Sequence, residues 1–337
     1  MRKAWILMAA LAACATAQAM GRKPPLTGIL WDSNVKHDLA TGKKEILLKN
    51  TPPWIYDHSI MSPDGKQLLI RVVMTDEHGR ELITDLRTLD METKKERVWY
   101  RGSDVGIYGW SPDGHFIITE GMAPDYVALI IDIQTEEAWL AKIPKGLTRL
   151  GTPAWSSDGK SLYASRIDGP KQDQGLWIMK MDLNGGNLRE LVHLPIVGGA
   201  VLSPDEKNVA FIPIPKQDLF FVDVATGKIH PTKHTPAAEI GASWSPNSKW
   251  VSVRQDTSDI MAANNYYAIN AETGEWRFLF KLRGEILSWW QPPTGPLPDC
   301  GKIVREQLGP GRPLEEVAAK LVVPGAKSGK APAPSAH

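Results

Sequence analysis

Apolar and polar positions alternate along this chain in short runs, of which Lys66-Gln67-Leu68-Leu69-Ile70-Arg71-Val72 is typical. A period of two marks β-strands, and the runs are short and rich in branched side chains. Between them stands a recurring turn: Ser62-Pro63-Asp64-Gly65, Ser111-Pro112-Asp113-Gly114 and Ser156-Ser157-Asp158-Gly159. Two worn copies follow, Ser203-Pro204-Asp205-Glu206 and Ser245-Pro246-Asn247-Ser248. Pro presets the first corner of a type I turn, Asp or Asn suits the second, and Gly accepts the left-handed exit. Each copy therefore predicts the bend of a β-hairpin.

A second turn alternates with the first. Asp38-Leu39-Ala40-Thr41-Gly42-Lys43 returns at Asp90, Asp132, Asp182, Asp223 and Asn270, each time after an apolar run such as Phe220-Phe221-Val222. The first turns start 49, 45, 47 and 42 residues apart. Repeats of roughly 40–50 residues built from short strands predict propeller blades. The expected fold is all-β: a six-bladed β-propeller over residues 28–308, each blade an inner hairpin on the first turn and an outer hairpin on the second. The unpaired outer turn at Asp38 seeks its inner partner at the other end, where Ser288-Trp289-Trp290-Gln291-Pro292 aligns with Ser243-Trp244-Ser245-Pro246-Asn247. The closing blade is then shared, with outer strands from residues near 28–50 and inner strands from residues near 284–308. Closure of this kind limits open sheet edges.

The ends are read separately. Met1-Arg2-Lys3 followed by the apolar stretch from Ala4 to Ala13 predicts an export signal over residues 1–19, too short for a membrane span. Two cleavage readings overlap: Ala17-Gln18-Ala19 as an ordinary small-x-small site, and Leu11-Ala12-Ala13-Cys14 as a lipobox that would lipidate Cys14. Cys300 is then the remaining thiol, with no intramolecular partner, and is expected to be structural. Pro313 to Val322 has helical spacing, predicting a short helix over 313–323 that packs on the ring, with docking to a partner as the sharper reading. Residues 324–337 are rich in Pro, Ala, Gly and Lys and are expected to be disordered.

Composition narrows function by exclusion. Lys plus Arg number 39 against 38 Asp plus Glu, a net charge of +1, without the basic excess of a nucleic-acid binder. No nucleophile elbow, zinc-protease helix or phosphate-binding glycine loop is present. Trp110, Trp155, Trp244 and Trp290 recur just before the inner turns, a pattern that predicts packing between blades rather than ligand stacking. Residues just ahead of the inner turns are expected to line the central channel: Asp57, His58, Tyr108, Arg149, Glu239 and Glu285. They are the ligand-binding candidates, set against the plainer expectation of solvated or paired rim charges. The polar stretches 168–175 and 255–265 are expected to be long loops on one face.

Trp110-Ser111-Pro112-Asp113-Gly114, an apolar strand and then an Asp-x-x-Thr-Gly turn resemble the WD40-like repeat of TolB-type β-propellers. The resemblance covers roughly residues 28–305 and is specific for fold rather than function. TolB-type proteins carry a separate N-terminal α/β domain, which is not expected here because strands begin near Thr27; the hydrolase domain of prolyl-oligopeptidase-like enzymes is likewise not expected. The resemblance and the export signal together imply a non-enzymatic binding module or scaffold of the bacterial envelope. It would reside in the periplasm, or at the outer membrane as a lipoprotein anchored through Cys14. It would bind an envelope protein or peptide as a monomer, without nucleic acid or cofactor. The alternative is a lactonase-like hydrolase with a divalent metal in the channel, held by Asp57, His58, Glu239 and Glu285.

Overall fold

The computed structural model describes residues 26–321, except 103–104, 122–126, 142–143, 145–146, 148–154, 168–174, 196, 214–217, 233–237, 256–262 and 283–286. The expected signal region with Cys14, the tail and most of the two long polar stretches lie outside the described residues. The strands run in chain order as β1 (Ile29–Asp32), β2 (Val35–Asp38) and β3 (Lys44–Ile46), then β4 (Trp54–Met61), β5 (Gln67–Thr75), β6 (Glu81–Asp90) and β7 (Glu96–Gly102) of blade 1. Blade 2 holds β8 (Ile107–Trp110), β9 (Phe116–Gly121), β10 (Val127–Asp132) and β11 (Glu137–Ala141). Blade 3 holds β12 (Ser161–Ile167), β13 (Leu176–Asp182) and β14 (Arg189–Leu194), with an isolated Trp155–Leu162 bridge on its inner side. Blade 4 holds β15 (Val197–Leu202), β16 (Asn208–Pro213), β17 (Phe220–Asp223) and β18 (Ile229–Pro231). Blade 5 holds β19 (Ala238–Trp244), β20 (Trp250–Gln255), β21 (Asn264–Asn270) and β22 (Trp276–Leu282), and β23 (Leu287–Trp290) follows. All ladders between them are antiparallel, and the six sheets form a six-bladed β-propeller.

The turns explain why the repeat works. The Ser62 hydroxyl donates to Asp64 Oδ1 at 2.7 Å and accepts from the Gln67 amide at 2.9 Å, and Asp64 Oδ1 also takes the Lys66 amide at 3.1 Å. Ser111, Ser156, Ser203 and Ser245 repeat the arrangement with Asp113, Asp158, Asp205 and Asn247. The worn copies keep the left-handed corner at its usual cost for a side chain: Glu206 has φ 62° and Ser248 has φ 57°, where Gly65 has 74°. In the second turn Asp38 accepts the amides of Ala40 and Thr41, which holds its carboxyl below the usual range.

Apolar side chains gather in six clusters, one at each contact between neighbouring blades. Tryptophans serve them as expected. Trp110 Nε1 donates to Ile60 O across blades 1 and 2 at 2.9 Å, and Trp244 Nε1 donates to Val201 O across blades 4 and 5 at 3.0 Å. Trp290 also packs between blades, but on the opposite flank of its blade from the other three. Side chains alternate along a strand, so Trp289 and Trp290 face opposite ways. Trp289 joins Tyr266 of blade 5, as Trp244 joins blade 4, while Trp290 packs toward blade 1 and donates to Ser62 O.

Closure is shared between the chain ends, but not in the expected proportion. The closing blade has the order β23-β1-β2-β3, so the C-terminal part supplies one strand and the N-terminal part three. Ile29 pairs with Trp290 and Asp32 with Leu287. Among the described residues the expected second inner strand within 284–308 does not form. Pro292, Pro293, Pro296 and Pro298 follow β23 and cannot donate to a ladder. The chain instead enters helix α1 (Cys300–Leu308), capped by Asp299. Gly309 O accepts from Trp139 Nε1, then β24 (Arg312–Pro313) adds a fifth strand to blade 2, and helix α2 (Leu314–Ala318) follows. Leu314, Val317, Ala318 and Leu321 pack into the cluster between blades 1 and 2. Cys300 is fully buried between blades 2 and 3, and burial followed by Asp113 pushes its thiol up to about 12, which makes it an inert core group.

Candidate functional site

In blades 1, 2, 4 and 5 the innermost strand ends at its Ser-Asp or Ser-Asn turn, so its N-terminal half lies at the other mouth of the ring. Asp57, His58, Tyr108 and Glu239 fall there, and the ladder shows a shared device. In β4, Tyr56 pairs with Val72 and His58 with Arg71, leaving Asp57 as an extra residue. In β8, Ile107 pairs with Thr119 and Gly109 with Ile118, leaving Tyr108 extra. In β15 the extra residue is Gly198, and β19 is irregular between Glu239 and Ser243. A bulge re-aims a side chain and interrupts the ladder, and bulges concentrate at barrel rims and functional sites.

On blade 1 the bulge builds a charged cluster. Arg71 Nη1 donates to Asp57 Oδ2, Arg71 Nη2 donates to Glu81 Oε2 at 2.6 Å, and Arg71 Nε donates to Val105 O of blade 2 at 2.9 Å. The Arg71 side chain is 14 % exposed while Asp57 and Glu81 are 45 % and 46 % exposed. The guanidinium is thus the buried brace, and the two carboxylates are the accessible acceptors. Ser33 Oγ donates to Asp57 O, and Ser288 Oγ donates to Ser59 O at 2.8 Å, which ties the mouth to the closing blade. His58 is half-buried, and burial, with Arg71 adding and Asp57 opposing, lowers its imidazole to about 4. It is neutral at pH 7.

The structure therefore brings Asp57 and His58 together on blade 1. It places Tyr108 on β8 and Glu239 on β19, facing Arg254 across the ladder; their side chains, and the whole of Arg149 and Glu285, lie outside the described residues. Arg71 and Glu81 complete the cluster and are passed over by sequence reading. The available signal is a charge inside an otherwise apolar run, Leu68 to Val73. Among the described residues, no three His, Cys, Asp or Glu side chains gather as a metal-ligand set. Among them too, no helix is long and apolar enough to cross a membrane.

No protein-family model matches the chain, and no curated protein sequence matches it. Solved structures do share its ring. TolB from Acinetobacter baumannii superposes with a TM-score of 0.60 at 16 % identity over 82 % of this chain and 69 % of its own. A TolB candidate from Agrobacterium tumefaciens gives 0.56 at 19 % identity over 78 % of this chain and 91 % of its own. Oligogalacturonate lyase from Vibrio parahaemolyticus gives 0.51 at 18 % identity over 76 % and 75 %. At these identities the likeness is one of fold: the chain is a TolB-like propeller in architecture.

Proposed function

We propose that the chain is an exported, non-enzymatic propeller module of the bacterial cell envelope that presents its channel mouth to a protein or peptide. The bulged innermost strands support this reading best. They interrupt the inner ladder at the mouth and set braced, half-exposed carboxylates beside it, as an extended peptide with basic groups would require. The candidates Asp57, His58, Tyr108, Arg149, Glu239 and Glu285 belong to this mouth in the proposal. The basic start and apolar stretch before Ala19 support export to the periplasm, with Cys14 as lipid attachment in the outer-membrane variant. Affinity capture from envelope extract tests the reading. A partner held by the wild-type protein and lost with Asp57→Ala or Glu81→Ala supports it; equal capture by both, or none beside a working control, counts against it.

A metal-dependent hydrolase is the second reading, carried by the adjacent Asp57 and His58 at the mouth, with Glu239 and Glu285 as further ligands. Elemental analysis of protein purified without chelators decides it. One tightly held divalent ion per chain, lost with His58→Ala, favours the hydrolase; a sub-stoichiometric trace removes it.

A further inference from the structure

Two large aromatic side chains stand exposed on the outer strand of blade 5, two positions apart on β22: Trp276 is 45 % exposed and Phe278 56 %. The other described tryptophans and phenylalanines are buried or half-buried. Both rings stand edge to face with Tyr267 of β21, at centroid distances of 5.5 Å and 5.7 Å. Trp276 pairs with Ile269 and Phe278 with Tyr267, and these partners belong to the apolar contact between blades 4 and 5. Residues paired across a ladder share a face, so the two rings look toward blade 4. Farther along that face, Gln255 Oε1 accepts Asn265 Nδ2 at 2.9 Å and the Tyr267 hydroxyl at 3.2 Å. An exposed apolar patch rimmed by polar groups marks a binding surface more often than chance.

The same wedge between blades 4 and 5 holds a groove of about 540 Å³, within the range of small-molecule sites. One of its walls is the turn Ala271–Gly274, from which the chain runs into β22 and Trp276. The lining is polar, with Asn208 and Thr232 from blade 4 and Ser248, Lys249, Glu272 and Thr273 from blade 5. One lysine faces two carboxylates, Glu272 and Asp223, so an anion finds no spare positive charge. A protein partner is opposed by area. A large aromatic offers roughly 150–250 Å² when fully bared. The half-exposed pair therefore offers on the order of 200 Å², against about 800 Å² per partner in a standard interface. Pairing with an added strand is opposed by the extra residue Leu279, which bulges β22, and by Arg277 and Lys281 on that edge.

We infer that this wedge binds a neutral oligosaccharide. A sugar ring carries hydroxyls on its rim and C–H groups on its faces, and the wedge offers a partner for each. In the groove, the Asn208 carboxamide and the Glu272 carboxylate meet hydroxyls. Ser248 Oγ accepts the Asp205 amide at 3.0 Å and keeps its own proton to donate. The next ring lays its C–H face on Trp276, whose ring face carries the negative lobe of the aromatic quadrupole. Phe278 lies about 6.8 Å farther along the strand and takes a following ring in the same way. Beyond it the Gln255 NH₂ and the Asn265 carbonyl remain for hydroxyls.

The test is calorimetric titration of the full chain with chitotriose, cellotriose and maltotriose, three neutral sugars that differ in linkage and hydroxyl pattern. The expected result is saturable binding of at least one, with a Kd of about 1 mM or tighter. Trp276→Ala should weaken that sugar about tenfold, the scale of a lost aromatic contact. Asn208→Ala should weaken it about threefold, the scale of one hydrogen bond. The inference is overturned if none of the three sugars binds saturably, or if Trp276→Ala holds the sugar as tightly as wild type. Self-association of the chain that disappears with Trp276→Ala, read by sedimentation, would assign the face to a second copy and overturn it as well. Phe278→Ala is the second variant should Trp276→Ala fail to fold, and the wild-type titration alone suffices to reject the inference.

Discussion

Toward blade 1 the closing blade presents Trp31 and Trp290, which fill the wedge against Met61, Leu68 and Ile70; toward blade 5 it presents Leu30, His37 and Trp289, and a cavity is left beside them. The tight flank is also stitched by polar contacts. Trp290 Nε1 donates to Ser62 O at 2.9 Å and Ser288 Oγ donates to Ser59 O. Farther out on blade 1, the buried Asp85 carboxylate takes Arg87 and Arg101 at 2.7 Å and 2.6 Å, and both guanidiniums lie over the Trp54 ring. The ring is closed by the β1–β23 ladder within the blade. One flank of that blade can therefore hold a hole, provided the other is packed. The difference separates a flank packed without space from one that leaves a groove beside its buried side chains.

Truncation should expose the asymmetry most strongly. Trp31 is 1 % exposed at the centre of the tight flank, so Trp31→Ala should cost about 3–5 kcal/mol, the usual range for a large aromatic in a packed core. Phe280 already borders empty space, so Phe280→Ala should cost about half as much by the same reasoning. Urea midpoints of the two variants decide it. Equal losses would mean that both flanks bear the ring alike.

Acid should sharpen the comparison next. His37 is lowered to about 4, chiefly by burial and then by Lys44, and His58 is lowered to about 4, also chiefly by burial. An imidazole depressed on folding contributes stability that is present above its unfolded value near 6.5 and lost as pH falls toward 4. Asp32 has the opposite sign. Burial raises it to about 6 against the opposing pull of Lys44. Its contribution is present below the unfolded value near 3.9 and lost as pH rises through 6. Asp32 thus offsets part of the histidine loss within one window. Asp32→Asn should stabilise the fold at pH 7 by on the order of 2 kcal/mol, the scale of that shift. The gain should shrink toward zero near pH 4, so the variant loses stability on acidification more steeply than wild type. Denaturant curves at pH 7, 5.5 and 4.5 measure this, and a gain that does not depend on pH would refute the assignment.

Legibility in the sequence follows the range of each interaction. Ser62, Asp64 and Gln67 bond within six residues, so their turn is written locally and its repetition reveals six blades. The 3+1 closure is not local. Ile29 meets Trp290 from the opposite end of the chain, and the aligned Ser-Trp pair at 288–289 hides the prolines that stop a second strand. The facing of Trp289 against Trp290 needed only strict alternation and was available. At the mouth, Asp57 and His58 could be read from their place ahead of a turn. Arg71 and Glu81 could not be joined to them, because a bulge sets that register and a bulge has no fixed residue signature. His37 looked like a strand residue of an outer hairpin; its isolation depends on Phe280, far along the chain.

His37 gives the smallest effect and the sharpest division between the flanks. On the loose flank the unbonded, buried imidazole of His37 is a liability to the fold. Replacing a buried, unbonded polar group by an apolar one of similar shape removes a desolvation cost. His37→Leu should therefore raise stability at pH 7 by about 1 kcal/mol, from the same balance of terms. The advantage should widen at pH 5, where the wild-type imidazole resists protonation and the leucine has nothing to protonate. A His37→Leu protein less stable than wild type at pH 7 would show that the imidazole helps to hold blade 5 in place, and the contrast between the two flanks would then be one of degree.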